Sequence, residues 1–207
     1  KNQAMLVPNG PVQIYSSGYR NPYDLVVTAS GKMYTFDNGP NSGWGGPPAS
    51  CIYAVSEPGT SQPDQLHLIP QQGFYAGHPN LTRANRNNTF NVTNPQTPVP
   101  AGMENPAECN YLYPGTADGS LITIPASTNG LTEYTASNFG NNLKNNLLAV
   151  SWNNKVYRIQ LNAAGTAVVP GGATELFSGL TSLPLDVVAQ GDAGPFPGTV
   201  WTANVFG

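Results

Sequence analysis

Arg20 and Asn21 stand side by side at the mouth of an apolar run, "YRNPYDLVV", and the next aromatic run, "KMYTFD", is followed at once by Asn38-Gly39-Pro40-Asn41. Only 9 % of the 207 residues are charged, against roughly 25 % in an ordinary globular domain. A guanidinium at the edge of an apolar strand is therefore informative, whereas Asn, Gly and Pro in succession also read as an ordinary turn. Cys51 and Cys109 are the only cysteines, and neither has the close spacing of a metal-binding pair. In so charge-poor a chain they read as a disulfide, with two buried free thiols as the alternative. Three glycosylation sequons crowd together, at Asn80, Asn87 and Asn91, in a polar, Pro-rich stretch. With a disulfide beside them, they point to a secreted, extracellular or cell-surface protein.

These groups need a scaffold, and the composition restricts which one. The chain holds 23 Gly and 20 Pro, so no amphipathic run at helical period survives between breaks. Long helices are excluded and an all-β fold is expected. Eight Lys plus Arg with a formal net charge of -3 make no basic patch, which argues against nucleic acid as a partner. No apolar stretch approaches the 18 or so residues of a membrane span. The opening "KNQAMLVPNG" has no signal-peptide core, so the chain reads as a processed product and as a piece of a longer one.

The strand signals repeat. Residues 12 to 39 contain an alternating strand, then Pro-x-Asp-Leu-Val-Val, a Gly turn and an aromatic strand; residues 174 to 207 repeat the pattern around "PLDVV" and "TVWT". A looser copy at 131 to 161 offers "LLAVSW" in place of "DLVVTA" and "KVYRIQL" in place of "KMYTFD". The spacing is that of four-stranded propeller blades, with a β-sandwich carrying a long loop as the competing architecture. The expected fold is a single β-propeller segment over residues 1–207, about three blades of a six-bladed ring, with an irregular insertion at about 42–120. Asp24 and Asp186 recur at equivalent positions, as expected of a structural bond within each blade.

"GYRNPYDLVVTASGKMYTFDNGPN" resembles the signature of the glucose/sorbosone dehydrogenase family, six-bladed quinoprotein propellers related to soluble sugar dehydrogenases. "DQLHLIPQQGFYAGHPN" (64 to 80) and "NNLLAVSWNNKVYRIQLNAAG" resemble further family segments in the same order. The resemblance implies sugar oxidation with pyrroloquinoline quinone and calcium. It assigns Arg20, Asn21 and Asn38 to the quinone, where a planar donor fork suits a carboxylate. It assigns the carbonyls of Gly39 and Pro40 to calcium, a cation that prefers oxygen ligands, and makes Asp64 the acid assisting a catalytic histidine.

The chain also departs from the family. No histidine precedes Arg20, His67 and His78 do not match the family's base, and Leu183 and Leu185 stand where the family has arginines. The resemblance thus implies either a fragment or a degenerate homologue of a sugar dehydrogenase. The alternative is a non-catalytic extracellular propeller used for binding or assembly. Partners expected on either view are the remaining blades of a longer polypeptide or another chain completing the ring, with a sugar as ligand.

Overall fold

The computed structural model describes residues 6–48, 51, 57–86, 99–115, 117–125 and 127–206. Its elements in chain order are β1 (Ser16–Ser17), β2 (Pro22–Val27), β3 (Met33–Asp37), β4 (Asp64–Ile69), β5 (Phe74–Tyr75), α1 (Leu81–Ala84), a 3-10 turn (Pro106–Cys109), β6 (Ile122–Ile124), β7 (Thr128–Tyr134), a second 3-10 turn (Phe139–Asn141), β8 (Asn146–Ser151), β9 (Lys155–Leu161), β10 (Val168–Ser178), β11 (Pro184–Ala189) and β12 (Val200–Asn204). The protein is mostly β, as its Gly and Pro punctuation demands. Among the described residues no helix is long and apolar enough to cross a membrane. The chain divides into two compact units, and each is described by itself.

The strand-rich unit comprises Asn21–Asn38, Pro63–Pro70 and Ser120–Gly207. It contains three open antiparallel sheets, ordered β2-β3-β4-β6, β7-β8-β9-β10 and β11-β12. In each, hydrogen-bonded neighbours follow one another in order along the chain. Short turns make this meander possible: between β2 and β3, the Thr28 N–H donates to the Lys32 carbonyl at 2.9 Å around Gly31, whose φ of 77° suits glycine.

The middle sheet is covered on both faces. Leu147 and Ala149 of β8 join Tyr34, Phe36 and Leu66 of the first sheet in one apolar cluster. Leu148 and Val150, pointing the other way, join Tyr134, Val156 and Val187 of β11 in a second. The alternation of side chains across a strand thus explains why "LLAV" is apolar at every position: β8 has no solvent face.

The leading strands share a device. β2, β7 and β11 each carry a register irregularity near their first residues, between Pro22 and Asp24, Thr128 and Leu131, and Pro184 and Asp186. Asp24 follows the first, and its carboxylate accepts from Leu25 N at 2.7 Å and from Leu131 N of the adjoining sheet at 2.8 Å. The Asp24 bond therefore runs between sheets as well as within one. Asp186 accepts from Val187 N at 2.7 Å. Between β7 and β11 the backbones approach so closely that a Cβ on Gly130 would fall 2.5 Å from Asp186 Cα, so a side chain there would force the strands apart.

Two expectations are corrected. The looser repeat was aligned one strand out: "LLAVSW" occupies the second position of its sheet, paired like "MYTFD", and the leading strand is Thr128–Tyr134. The stretch of about 42–120 is not irregular throughout, since β4 lies inside it as a central strand of the first sheet. Two sheets have four strands and the third has two among the described residues, and none is closed.

The other unit comprises Lys1–Arg20, Gly39–Gln62 and Gln71–Gly119. It is built mainly from loops. β1 and β5 form a short parallel pair, and the Cys51–Cys109 disulfide is present. It bridges a sequence separation of 58 residues and so restricts the unfolded ensemble. Beside it, Glu108 is wholly buried and grips Arg83 of α1 through contacts of 2.9 to 3.0 Å.

Candidate functional site

Pairing across the first sheet brings the start of β2, the end of β3 and the start of β4 to one end. Asn21, Asp37, Asn38 and Asp64 there are joined in a chain of bonds through Thr128 of β7. The Asn21 amide donates to Asn38 Oδ1 at 3.0 Å, and Asn38 Nδ2 donates to the Thr128 carbonyl at 2.8 Å. Thr128 N donates in turn to Asp64 Oδ2, while Asn21 N donates to Asp37 Oδ1 at 2.6 Å. Asp37, Asn38, Asp64 and Thr128 are all buried. Both backbone groups of Thr128 are thus held by side chains of the first sheet, which fastens β7 of the second sheet to it. Buried polar groups must be bonded, and here the bonds serve the stack of sheets.

Arg20 lies in the other unit. Its Nε donates to the Gly45 carbonyl at 3.0 Å, and its guanidinium sits 5.0 Å from the centre of the Trp44 ring. A cation over an aromatic face is favourable, and the contact fixes Arg20 on the Asn41–Trp44 turn. The Pro40 carbonyl accepts from Gln62 N at 2.8 Å. His67 is a buried residue of β4. Asn80 caps α1 and its side chain accepts from Thr82, which is buried; Asn87 and Asn91 lie outside the described residues.

His78 belongs to the same unit as Arg20. Its ring meets Tyr111 edge to face, with centroids 6.3 Å apart. Burial, and then the positive charge of Arg20, lower its pKa to about 4, so the imidazole is neutral at pH 7. Because this lies below the ordinary value near 6.5, His78's contribution to stability is complete above pH 6.5. It is lost as the pH falls from there towards 4, where the unfolded chain takes up a proton that the folded one refuses. The expected loss reaches about 3 kcal/mol at most. Denaturant unfolding of the native chain and of His78→Gln, at pH 7.5 and pH 4.5, should show a steeper decline for the native chain; parallel declines would contradict the assignment.

The loop-built unit also holds a cleft of about 550 Å³. One wall carries Pro40 and Pro58, pinned by the bond from Gln62 N to the Pro40 carbonyl and by one from Gly43 N to the Pro58 carbonyl at 2.9 Å. The other wall is the segment Asn110–Tyr113, held where Leu112 N donates to the Gly77 carbonyl and the Tyr75 hydroxyl to that of Asn110. Burial, and then the Glu108 charge, raise the Tyr75 pKa well above its ordinary value, so it remains a donor. The disulfide joins the two walls.

No family model matches the chain, and no curated protein matches it in sequence.

Several of the polar groups that the resemblance assigns to quinone and calcium bond within the protein. Asp64 holds a backbone N–H, Asn21 and Asn38 hold each other, Arg20 holds Gly45, and the Pro40 carbonyl holds Gln62. Among the described residues no group of three or more His, Cys, Asp and Glu side chains is disposed to hold a metal ion. Sequence reasoning missed Thr128, which acts through its backbone and leaves no signal. It also missed Arg83 with Glu108, which a search of the few charged residues could have raised, and the Tyr111-x-Tyr113 pair of the cleft.

Proposed function

We propose that this chain is part of a β-propeller of the glucose/sorbosone dehydrogenase type that serves binding and assembly outside the cell and does not oxidise sugars. The observation that carries this reading is the clamp on Thr128: Asn38 and Asp64, read as cofactor and catalytic residues, spend their side chains on tying two sheets together. Support for a propeller comes from four-stranded meanders stacked face to face, with β7 lying beside both β2 and β11, the arrangement of inner strands in radially repeated blades. The disulfide supports an oxidising compartment.

Assembly is supported by apolar side chains exposed on β2 and β12, edge strands of the first and third sheets. On β2, Tyr23, Leu25 and Val27 are each at least half exposed, as is Trp201 of β12 with its cross-strand neighbour Val188 close behind. Exposed apolar edge strands of this kind are suited to contact with a further sheet, supplied by remaining blades of the same polypeptide or by a second copy.

The test is reconstitution. With pyrroloquinoline quinone and calcium in excess, the chain should neither retain the quinone's absorbance after gel filtration nor reduce an electron-acceptor dye with aldoses. Stoichiometric quinone retention with sugar-dependent dye reduction would overturn the reading.

A further inference from the structure

We propose that the cleft beside the disulfide is a binding site for a proline-rich peptide segment in the polyproline II conformation. The inference stands independently of whether the sheet ends are catalytic, because every lining residue belongs to the loop-built unit and none is part of the Asn21–Asp64 network.

Four observations select this ligand. The first is charge: among the described residues lining the cleft there is no acidic or basic side chain, so nothing there would offset the desolvation of an ionic ligand. The second is shape. Tyr111 and Tyr113 meet at 4.9 Å between ring centres and 64° between planes, which forms an angled aromatic trough of the kind that accepts a pyrrolidine ring. Tyr113 is 71 % exposed, a large aromatic surface left to water in the unliganded chain.

The third observation is hydrogen-bond character. The polar side chains on the walls, Gln62 and Asn110, are amides; Gln62 Nε2 spends one hydrogen on the Thr60 carbonyl at 3.4 Å and keeps a second, Asn110 brings an NH2 group, and the Tyr113 phenol adds another donor. A polyproline helix presents carbonyl acceptors along its length and has no proline N–H to leave unpaired on burial. A sugar of similar size would bring a ring of hydroxyls, each needing both donor and acceptor partners, to a cleft with few polar side chains. The fourth is rigidity. Pro40, Pro47, Pro48 and Pro58 line a cleft whose walls are cross-linked by the disulfide and pinned by backbone bonds. A preformed groove meeting a preformed helix loses little conformational entropy on binding, and aromatic-lined grooves recognise proline-rich segments in this way.

The experiment uses the full chain with its disulfide intact, titrated by calorimetry with N-acetylated, C-amidated hexaproline. Saturable one-to-one binding is expected, weakened at least tenfold by Tyr113→Ala and changed less than twofold between 50 and 500 mM salt, since no charge lines the cleft. Tyr113 is exposed, so its truncation leaves folding intact, which an unchanged denaturation midpoint would verify. Asn110→Asp serves as a second variant: it keeps the side chain's size, replaces the amide donors by an anion, and should weaken binding as well. Four outcomes would overturn the proposal: no saturable binding at millimolar peptide, equal affinity for a Gly-Ser hexapeptide, unchanged affinity in both variants, or binding of cellotriose in preference to hexaproline.

Discussion

Glu108→Ala should destabilise the loop-built unit by about 3–5 kcal/mol, the cost of leaving one partner of a buried ion pair without the other. Glu108 is fully buried, and both of its oxygens receive the Arg83 Nε at 3.0 and 2.9 Å, with a further contact from Nη2 at 2.9 Å. Asn105 adds a bond to the same carboxylate at 3.2 Å. Removing the carboxylate strands a guanidinium that is itself largely buried and releases α1 from the 3-10 turn that carries Cys109. Arg83→Ala should cost a similar amount, whereas Asn105→Ala, which removes a neutral donor and a turn cap, should cost about 1 kcal/mol. Urea unfolding at pH 7 without reductant, read from the tyrosines of this unit, measures the difference. A loss below 1 kcal/mol for Glu108→Ala would mean that the pair is solvated in solution.

Leu148→Ala in β8 should cost about 2–5 kcal/mol, as large-to-small changes in a closed core do. Leu148 has no exposed surface and packs with Tyr134, Val150, Val156 and Val187, between the second and third sheets. Leu147→Ala tests the opposite face against Tyr34, Phe36 and Leu66 and should cost as much. The equality is the informative result, because it requires both faces of one strand to be buried. If either variant unfolds at the native midpoint, that face is open and the stacking of three sheets is wrong.

Some of this architecture was legible in the residues and some was not, for physical reasons. "PYDLVV" and "PLDVVA" declared their strands because Pro, Asp and a Gly turn bracket a β-branched run. Both became leading strands with the same irregularity at the same place. The copy between them was misaligned because "TNGLTEY" is polar and holds Gly130, whereas "LLAVSW" looks like the stronger strand. Burial on both faces gives β8 that look, and a leading strand needs a small residue where its neighbour's backbone comes close.

The candidate site was legible in its members but not in the bonds that join them. Asn21, Asn38 and Asp64 do meet at one end of the first sheet. Asn38 and Asp64 share the backbone of Thr128 as their partner, with Asn21 joined to it only through Asn38, and a backbone group has no residue type by which to be found. The cleft was hidden for a related reason: its prolines and tyrosines are scattered from residue 40 to 113 and converge only through the disulfide.

The central claim, that these sheets form a stack whose exposed apolar strands β2 and β12 receive another sheet, is tested most directly by light scattering coupled to size-exclusion chromatography. The account predicts that the 21.8 kDa chain elutes as a dimer or larger species at micromolar concentration. Leu25→Glu and Trp201→Glu, both at sites more than half exposed and so harmless to folding, should each shift it towards the monomer. A monodisperse monomer at all concentrations, with both variants indistinguishable from the native chain, would contradict the claim.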